Sequence, residues 1–314
     1  MTTERRPVAL VAGASRGLGL LVARRLGERG FALVLCARDE VELARAARDL
    51  RDRGQEVRTE VCDVSDVAAV QAMVARTESE SPIEVMICVA GIIQVGPLDA
   101  LERQHFEQAI DVMLWGPVNT ALAVLPGMRR EGRGRIGVIT SIGGLLAAPH
   151  LLPYSTAKFG AVGFAKGLRS ELVGTGVTVT TVAPGLMRTG SHQRAQFVGD
   201  QGREYAWFAT AASLPLLSMD ADRAAARIVD SVLRGRPQLL LTPLAQVASR
   251  VAAVAPGLTA AILGLTVRLL PSAPTTPSGT VDGRSARSQL PSRGRALLDR
   301  LTVLGDRAAA RFHQ

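Results

Sequence analysis

VALVAGASRGLGLLVARRLGERGFALVLC, residues 8–36, is the stretch whose reading decides the fold. Val8 to Ala12 is a short apolar run, and Gly13-Ala14-Ser15-Arg16-Gly17-Leu18-Gly19 follows at once. A helical stretch, Leu20 to Glu28, then leads to a second apolar run, Phe31 to Cys36. This is a strand, glycine turn, helix, strand unit. Glycines at such a turn let the backbone approach a pyrophosphate, whose charge is held by amides at the helix N-terminus. The spacing is Gly-x-x-x-Gly-x-Gly rather than Gly-x-Gly-x-x-Gly, and glycine-rich turns without ligands are common, so the residues around it have to decide.

The second strand ends Cys36-Ala37-Arg38. Folds that hold an unphosphorylated dinucleotide often carry an acid at that point for the ribose 2′-hydroxyl, whereas Arg suits a 2′-phosphate. Arg38 and Arg16 are therefore expected to converge on that phosphate, favouring NADP over NAD. The alternation then continues: a helix over Val41 to Arg53, a strand over Val57 to Cys62, a helix over Val67 to Glu80, and a buried strand over Val85 to Val89. His105 to Met128 suits a long helix, and strands follow at Arg135 to Thr140 and Val177 to Val182, the latter leading into Ala183-Pro184-Gly185. This rhythm predicts a Rossmann-type, doubly wound parallel sheet with helices on both faces. Ligands sit at the carboxyl ends of strands in such sheets, which is where Ser141 falls.

Downstream of Ser141 come Tyr154 and Lys158, four residues apart. On a helix both side chains share one face, one turn apart. A phenol titrates near 10, and a neighbouring ammonium is expected to lower that value, making an acid/base for interconverting a carbonyl and an alcohol. Ser141 adds a hydroxyl hydrogen bond to the same oxygen. With only two Tyr in the chain, and two Lys, the pairing is a stronger signal than most short matches.

Taken together these segments resemble the short-chain dehydrogenase/reductase family over about the first 240 residues. Ala12 to Gly19 looks like its Thr-Gly-x-x-x-Gly-x-Gly turn with Ala in place of Thr. Asp63-Val64 matches the pair that meets adenine, and Pro184-Gly185 with Thr189 the segment beside the nicotinamide. Ser141, Tyr154 and Lys158 match the catalytic Ser, Tyr and Lys. The resemblance implies hydride transfer with Tyr154 as acid/base, Ser141 steadying the substrate oxygen, and Lys158 both acidifying Tyr154 and holding the nicotinamide ribose. It also implies cofactor contacts from Gly13, Ser15, Arg16, Gly17, Leu18, Gly19, Arg38, Asp63, Val64, Ala90, Gly91, Tyr154, Lys158, Pro184, Gly185, Met187 and Thr189. Two departures stand out. The family's Asn-Asn-Ala-Gly is Cys88-Val89-Ala90-Gly91 here, and Val112-Met113-Leu114 replaces its Val-Asn-Leu. A thioether cannot replace the hydrogen bonds of that Asn, and Asn119 lies roughly two helical turns away.

Composition, 47% hydrophobic and 21% charged, suits a globular core. The net charge of +9 has no accompanying nucleic-acid signature, so nucleic acid is not an expected partner. Cys36, Cys62 and Cys88 are too widely spaced for a metal motif and fit no disulfide framework; no metal is expected. Without the long apolar region of a signal peptide, a cytoplasmic protein is the default. Met187 to Pro215 reads either as a substrate lid lined by Tyr205, Trp207 and Phe208 or as a packed helix, and His150 and His192 as packing or surface polarity.

The catalytic domain is expected over residues 1–241 and an apolar helical extension over 242–270. Leu258, Ile262, Leu265 and Leu269 share one helical face there, for packing on the domain or a subunit partner, the preferred alternative, or for resting in a membrane interface. A Pro/Ser/Gly-rich linker and basic terminal helix occupy 271–314, with Arg295 to Arg311 read as a solvated tail or a lipid contact. The expected function is an NADP-preferring oxidoreductase, a homo-oligomer, acting on a hydrophobic ketone or secondary alcohol. The alternatives are a cofactor-binding but weakly or non-catalytic family member, or a membrane-surface scaffold.

Overall fold

The computed structural model describes residues 6–214, 218–273 and 279–312. Seven strands, β1 (Val8–Ala12), β2 (Ala32–Ala37), β3 (Val57–Val61), β4 (Ile83–Cys88), β5 (Gly134–Ile139), β6 (Val177–Ala183) and β7 (Gln238–Leu240), form one parallel sheet. Their order is β7-β6-β5-β4-β1-β2-β3, so the direction of winding reverses between β1 and β4. That is the switch point at which a doubly wound sheet opens a crevice at its carboxyl end.

Seven helices accompany the sheet: α1 (Gly17–Gly27), α2 (Glu40–Asp52), α3 (Val67–Glu78), α4 (Arg103–Arg130), α5 (Leu152–Glu171), α6 (Gln201–Ser213) and α7 (Ala221–Leu233). The period of two along β1 shows why both faces are covered. Ala9 and Val11 join the core under α1, α2 and α7, while Val8, Leu10 and Ala12 join the core under α3, α4 and α5. A strand apolar on both sides has no wet face, as expected for a parallel sheet. Local chemistry sets the helix starts: Asp39 accepts from the Glu42 amide at 2.9 Å, and Asp66 from the amides of Ala68 and Ala69 at 2.9 and 3.0 Å. Cys36, Cys62 and Cys88 are buried free thiols.

The long α4 carries a π-helical turn over Asp111–Trp115, a distortion frequent at functional positions. It turns Met113 inward, where the side chain packs with Ala109 and Ala157 and only 1% of it is exposed.

The C-terminal part departs from expectation in two ways. First, α8 (Pro243–Val254) and α9 (Pro256–Val267) form a helical hairpin in which only Ala245 is buried. The expected packing of Leu258, Ile262, Leu265 and Leu269 on the domain is not found: among the described residues α9 packs on α8, and none of its side chains is buried. Second, the segment read as a linker and solvated tail is docked; its residues 274–278 lie outside those described. Val281–Asp282 pairs antiparallel with Gln196–Phe197, which pairs in parallel with Gln94–Val95. After α10 (Gly283–Ser288), α11 (Ser292–Arg311) lies against α6, and Leu298, Ala308, Ala309 and Phe312 are buried. Apolar residues on one face of a basic helix supplied the burial that a composition of Pro, Ser and Gly upstream had concealed.

The aromatics of the expected lid explain that docking. Tyr205 and Phe208 are buried with Phe197, at ring-centroid distances of 5.5 and 6.0 Å, in one cluster with Ala286 and Leu298. They serve as the seat of the C-terminal helices and do not line the cleft. Pro215, at the end of that stretch, lies outside the described residues.

Candidate active site

A cleft of about 650 Å³ opens at the carboxyl end of the sheet, within the usual size range of ligand sites. Every catalytic and cofactor-contact residue expected from the family resemblance borders it, with Gly17 the exception. The floor is the turn after β1. Gly13 has φ +83°, and a Cβ there would lie 2.6 Å from the Ala90 amide nitrogen, while one on Gly19 would lie 1.9 Å from the Gly13 carbonyl oxygen. Glycine is therefore required where the β1 turn, the β4 end and α1 close together. The start of α1 has neither a side-chain cap nor an acidic residue in its first turn, so its positive end faces the cleft with room for an anion. Gly17 is turned away: its amide donates to the Phe312 carbonyl at 2.8 Å, so the end of the chain braces this turn from outside.

At the adenosine end, the two arginines expected to meet a 2′-phosphate are each already paired. Arg38, exposed, lies 3.4 Å from Asp63. Arg16 pairs with Glu42, which also accepts from Arg194 at 2.8 Å. Glu42 and Arg194, both on the cleft wall, were not singled out from the sequence; they stand 152 positions apart and no local pattern connects them. Burial works to raise the Asp63 carboxyl, but the Ser65 hydroxyl and amide, at 2.7 and 2.9 Å, together with Arg38 hold it below the usual value. Asn119 donates to the carbonyls of Val64 and Ser65 at 3.0 and 3.3 Å, bracing the adenine-side loop rather than facing Tyr154.

At the other end, Ser141 ends β5 and caps a short 3-10 turn, accepting from the Gly143 amide at 3.0 Å. The Ile142 amide donates to the Pro184 carbonyl at 2.8 Å, tying this turn to the loop after β6. Tyr154 and Lys158 project from the first turns of α5. The Ser141 hydroxyl hydrogen-bonds the Tyr154 phenol, and Lys158 Nζ lies 5.9 Å from the centre of its ring. Lys158 is buried and donates to the Ile139 carbonyl at 2.8 Å.

The electrostatics correct one expectation. Burial pushes the Tyr154 phenol above its ordinary value, and only the Ser141 hydrogen bond works against it. The expected acidification by Lys158 does not govern, because desolvation of a phenolate outweighs an ammonium directed at a carbonyl. The same desolvation brings Lys158 down to about 8. Between the two ends, Ile92, Ile93, Val112, Met113 and Met187 give the cleft an apolar wall.

His150 and His192, four and thirty-eight residues from Tyr154, are both engaged elsewhere. His150 Nδ1 lies 2.8 Å from the buried Glu204, which also accepts from the Trp207 indole at 2.7 Å. His192 pairs with Asp306 of α11 at 3.2 Å.

Comparison with known proteins agrees with this geometry. The family model described as short chain dehydrogenase matches residues 7–196. A Streptomyces coelicolor protein provisionally named a ketoacyl reductase is 39% identical over 192 residues, covering 60% of this chain and 74% of the relative. A Mycobacterium tuberculosis protein, provisionally named the oxidoreductase SadH, is 32% identical over 244 residues, 77% of this chain and 88% of its own. Among solved structures, a variant of actinorhodin polyketide ketoreductase with NADPH aligns at a TM-score of 0.67 with 32% identity, covering 77% of this chain and 97% of that one. A gluconate 5-dehydrogenase from Burkholderia cenocepacia, in complex with NADP and tartrate, aligns at 0.66 with 28% identity, covering 77% and 95%. With its sheet order, its glycine turn and a family match across most of the sheet, this chain belongs to the short-chain dehydrogenase family of oxidoreductases.

Proposed function

We propose that this protein is an NADPH-dependent reductase of a hydrophobic ketone, of the general class that ketoacyl reductases take. The observation that carries the reading is the meeting of Ser141, Tyr154 and Lys158 in a cleft whose other end is the glycine turn. When bound, the cofactor supplies hydride to the carbonyl carbon. Gly13, Ser15, Leu18 and Gly19 would hold its pyrophosphate at the start of α1, Asp63 and Val64 its adenine, and Ala90, Gly91, Pro184, Gly185, Met187 and Thr189 its nicotinamide half. Arg16 and Arg38 would exchange their present carboxylate partners for the 2′-phosphate: the exposed Arg38–Asp63 pair costs little to break, and the buried Glu42 released by Arg16 would keep Arg194 as its partner.

The chain's own groups favour reduction. Because burial keeps Tyr154 protonated at neutral pH, the phenol enters the reaction as an acid. Ser141 donates to the same substrate oxygen and stabilises its developing charge. Lys158, mostly cationic at pH 7 with a value of about 8, stabilises the phenolate left behind. The apolar wall of Ile92, Ile93, Val112 and Met187 excludes water and suits a hydrophobic substrate.

NADPH oxidation across a panel of apolar ketones tests this reading. Turnover is expected with NADPH in preference to NADH, with a fall of roughly a hundredfold to ten-thousandfold in Tyr154→Phe and unchanged cofactor binding. Arg38→Ala should weaken NADPH and leave NADH unaffected; equal loss of both would reject the 2′-phosphate role.

A second reading is favoured by Met113, buried where the family carries Asn. It makes this a cofactor-binding member with slow proton exchange. Absence of turnover with every ketone, alongside intact NADPH binding, would select it.

A further inference from the structure

We propose that the α8–α9 hairpin is a membrane-docking element whose apolar tip enters one leaflet of an anionic bilayer. The hairpin is rooted at the carboxyl end of the edge strand β7. Ala245 is buried there, and Gln246 donates to the Leu240 carbonyl at 3.1 Å. From residue 247 to residue 270 no side chain is buried. Val247, Val254, Leu258, Ile262, Leu265 and Leu269 are all at least half exposed, Val254 and Leu269 at 87% and 86%. A solvent-facing surface of this size and polarity marks a contact site.

Three observations select a bilayer over a second copy of the chain. A dimer buries one face of a helix and leaves the other wet, so the outer face carries polar residues. The helix α9 has none: besides apolar residues it contains only glycine, an opening proline and two threonines. Those threonine hydroxyls are satisfied inside the helix, Thr259 bonding to the Ala255 carbonyl at 3.1 Å and Thr266 to that of Leu263 at 2.7 Å. Ser249 on α8 does the same with Gln246 at 3.1 Å. No hydroxyl would lose a water partner in an apolar phase. Charge is the third observation. Between Asp230 and Asp282 the sequence holds no acidic residue, while Arg234, Arg236, Arg250 and Arg268 supply only positive charge. Arg250 and Arg268 flank the apolar tip, the arrangement that snorkels to anionic headgroups.

Length sets the mode of contact. At 12 residues, α9 is about 18 Å long, well short of the hydrocarbon thickness, and it is apolar on every side, so it enters the apolar part of one leaflet and does not span. Its root abuts the cleft, since a Cβ on Gly185 would lie 2.6 Å from Thr242 Oγ1. Docking would therefore bring the cleft close to lipid.

Flotation of the full chain with vesicles tests this without reference to turnover. Wild type is expected to float with phosphatidylcholine vesicles containing phosphatidylglycerol, and more weakly with phosphatidylcholine alone. The double variant Ile262→Asp, Leu265→Asp should reduce partition at least tenfold. Arg250→Gln and Arg268→Gln should each reduce it roughly fivefold on anionic vesicles only. None of these side chains is buried, so all variants should keep the wild-type circular dichroism and NADPH affinity. Wild type left unbound by both kinds of vesicle would overturn the proposal, as would unaltered partition of the Asp variant. A hairpin-dependent dimer in sedimentation with no vesicle uptake would overturn it equally, assigning the surface to a second copy.

Discussion

Replacing Lys158 by Met should make the protein more stable at neutral pH while disabling the site. Burial lowers this lysine from an ordinary value of 10.5 to about 8, so the folded state binds its proton more weakly than the unfolded state does. That difference corresponds to roughly 3 kcal/mol. Below pH 8 both states carry the charge and the folded state bears the whole penalty. Between about 8 and 10.5 the unfolded chain holds more protons, so stability rises with pH, and above that range the penalty is gone. Against this stands the hydrogen bond from Lys158 to the Ile139 carbonyl, whose removal leaves a buried acceptor at a cost of about 1–2 kcal/mol. Lys158→Met should therefore gain about 1–2 kcal/mol at pH 7, and the advantage should vanish and change sign near pH 10. Urea denaturation of both proteins from pH 7 to 10, read by linear extrapolation, measures the difference directly. A variant less stable than wild type at pH 7, or a difference that does not change with pH, would refute the reasoning.

Other outcomes follow from the same structure. Turnover should fall as pH rises through about 8, where Lys158 loses the charge that supports the phenolate; a pH profile of kcat checks this. In Gly143→Ala the new methyl would lie 3.1 Å from a Tyr154 ring carbon and 3.4 Å from Ser141 Oγ, so kcat should drop roughly tenfold with little change in melting temperature. Met113→Asn puts an amide into an apolar pocket at a cost of roughly 1–3 kcal/mol, so thermal stability should fall; if slow proton exchange limits the wild type, kcat rises in the same variant. Truncation after Arg311 removes the Phe312 carbonyl from the Gly17 amide, a loss of roughly 1 kcal/mol, so NADPH titration should show about fivefold weaker binding. At Asp306 burial opposes ionisation, but hydrogen bonds from His192, Thr302 and Gln193 hold its carboxyl at about 2. Its support for the docking of α11 is complete above the ordinary carboxyl range and is lost as pH falls through about 2, which proteolytic susceptibility of the C-terminal segment would report.

Period and spacing along the chain determined the parallel sheet, the glycine turn and the shared face of Tyr154 and Lys158, because each depends on neighbours within a few residues. Val8 to Ala12, a short apolar run followed at once by Gly13, reads as a strand, and the structure adds that backbones close together at Gly13 and Gly19. Tertiary structure alone decided what lies across long separations. It joined Glu42 to Arg194, placed Phe312 against Gly17, and set Tyr205 and Phe208 beneath α11 instead of over the cleft. It also decided the charge states: Lys158 stands one turn from Tyr154 in any helix, yet the depth to which both are buried, and not their spacing, raises the phenol and lowers the ammonium. The apolar residues of α9 read the same whether packed or exposed, and only the fold, by leaving them uncovered, separates a core helix from a surface one.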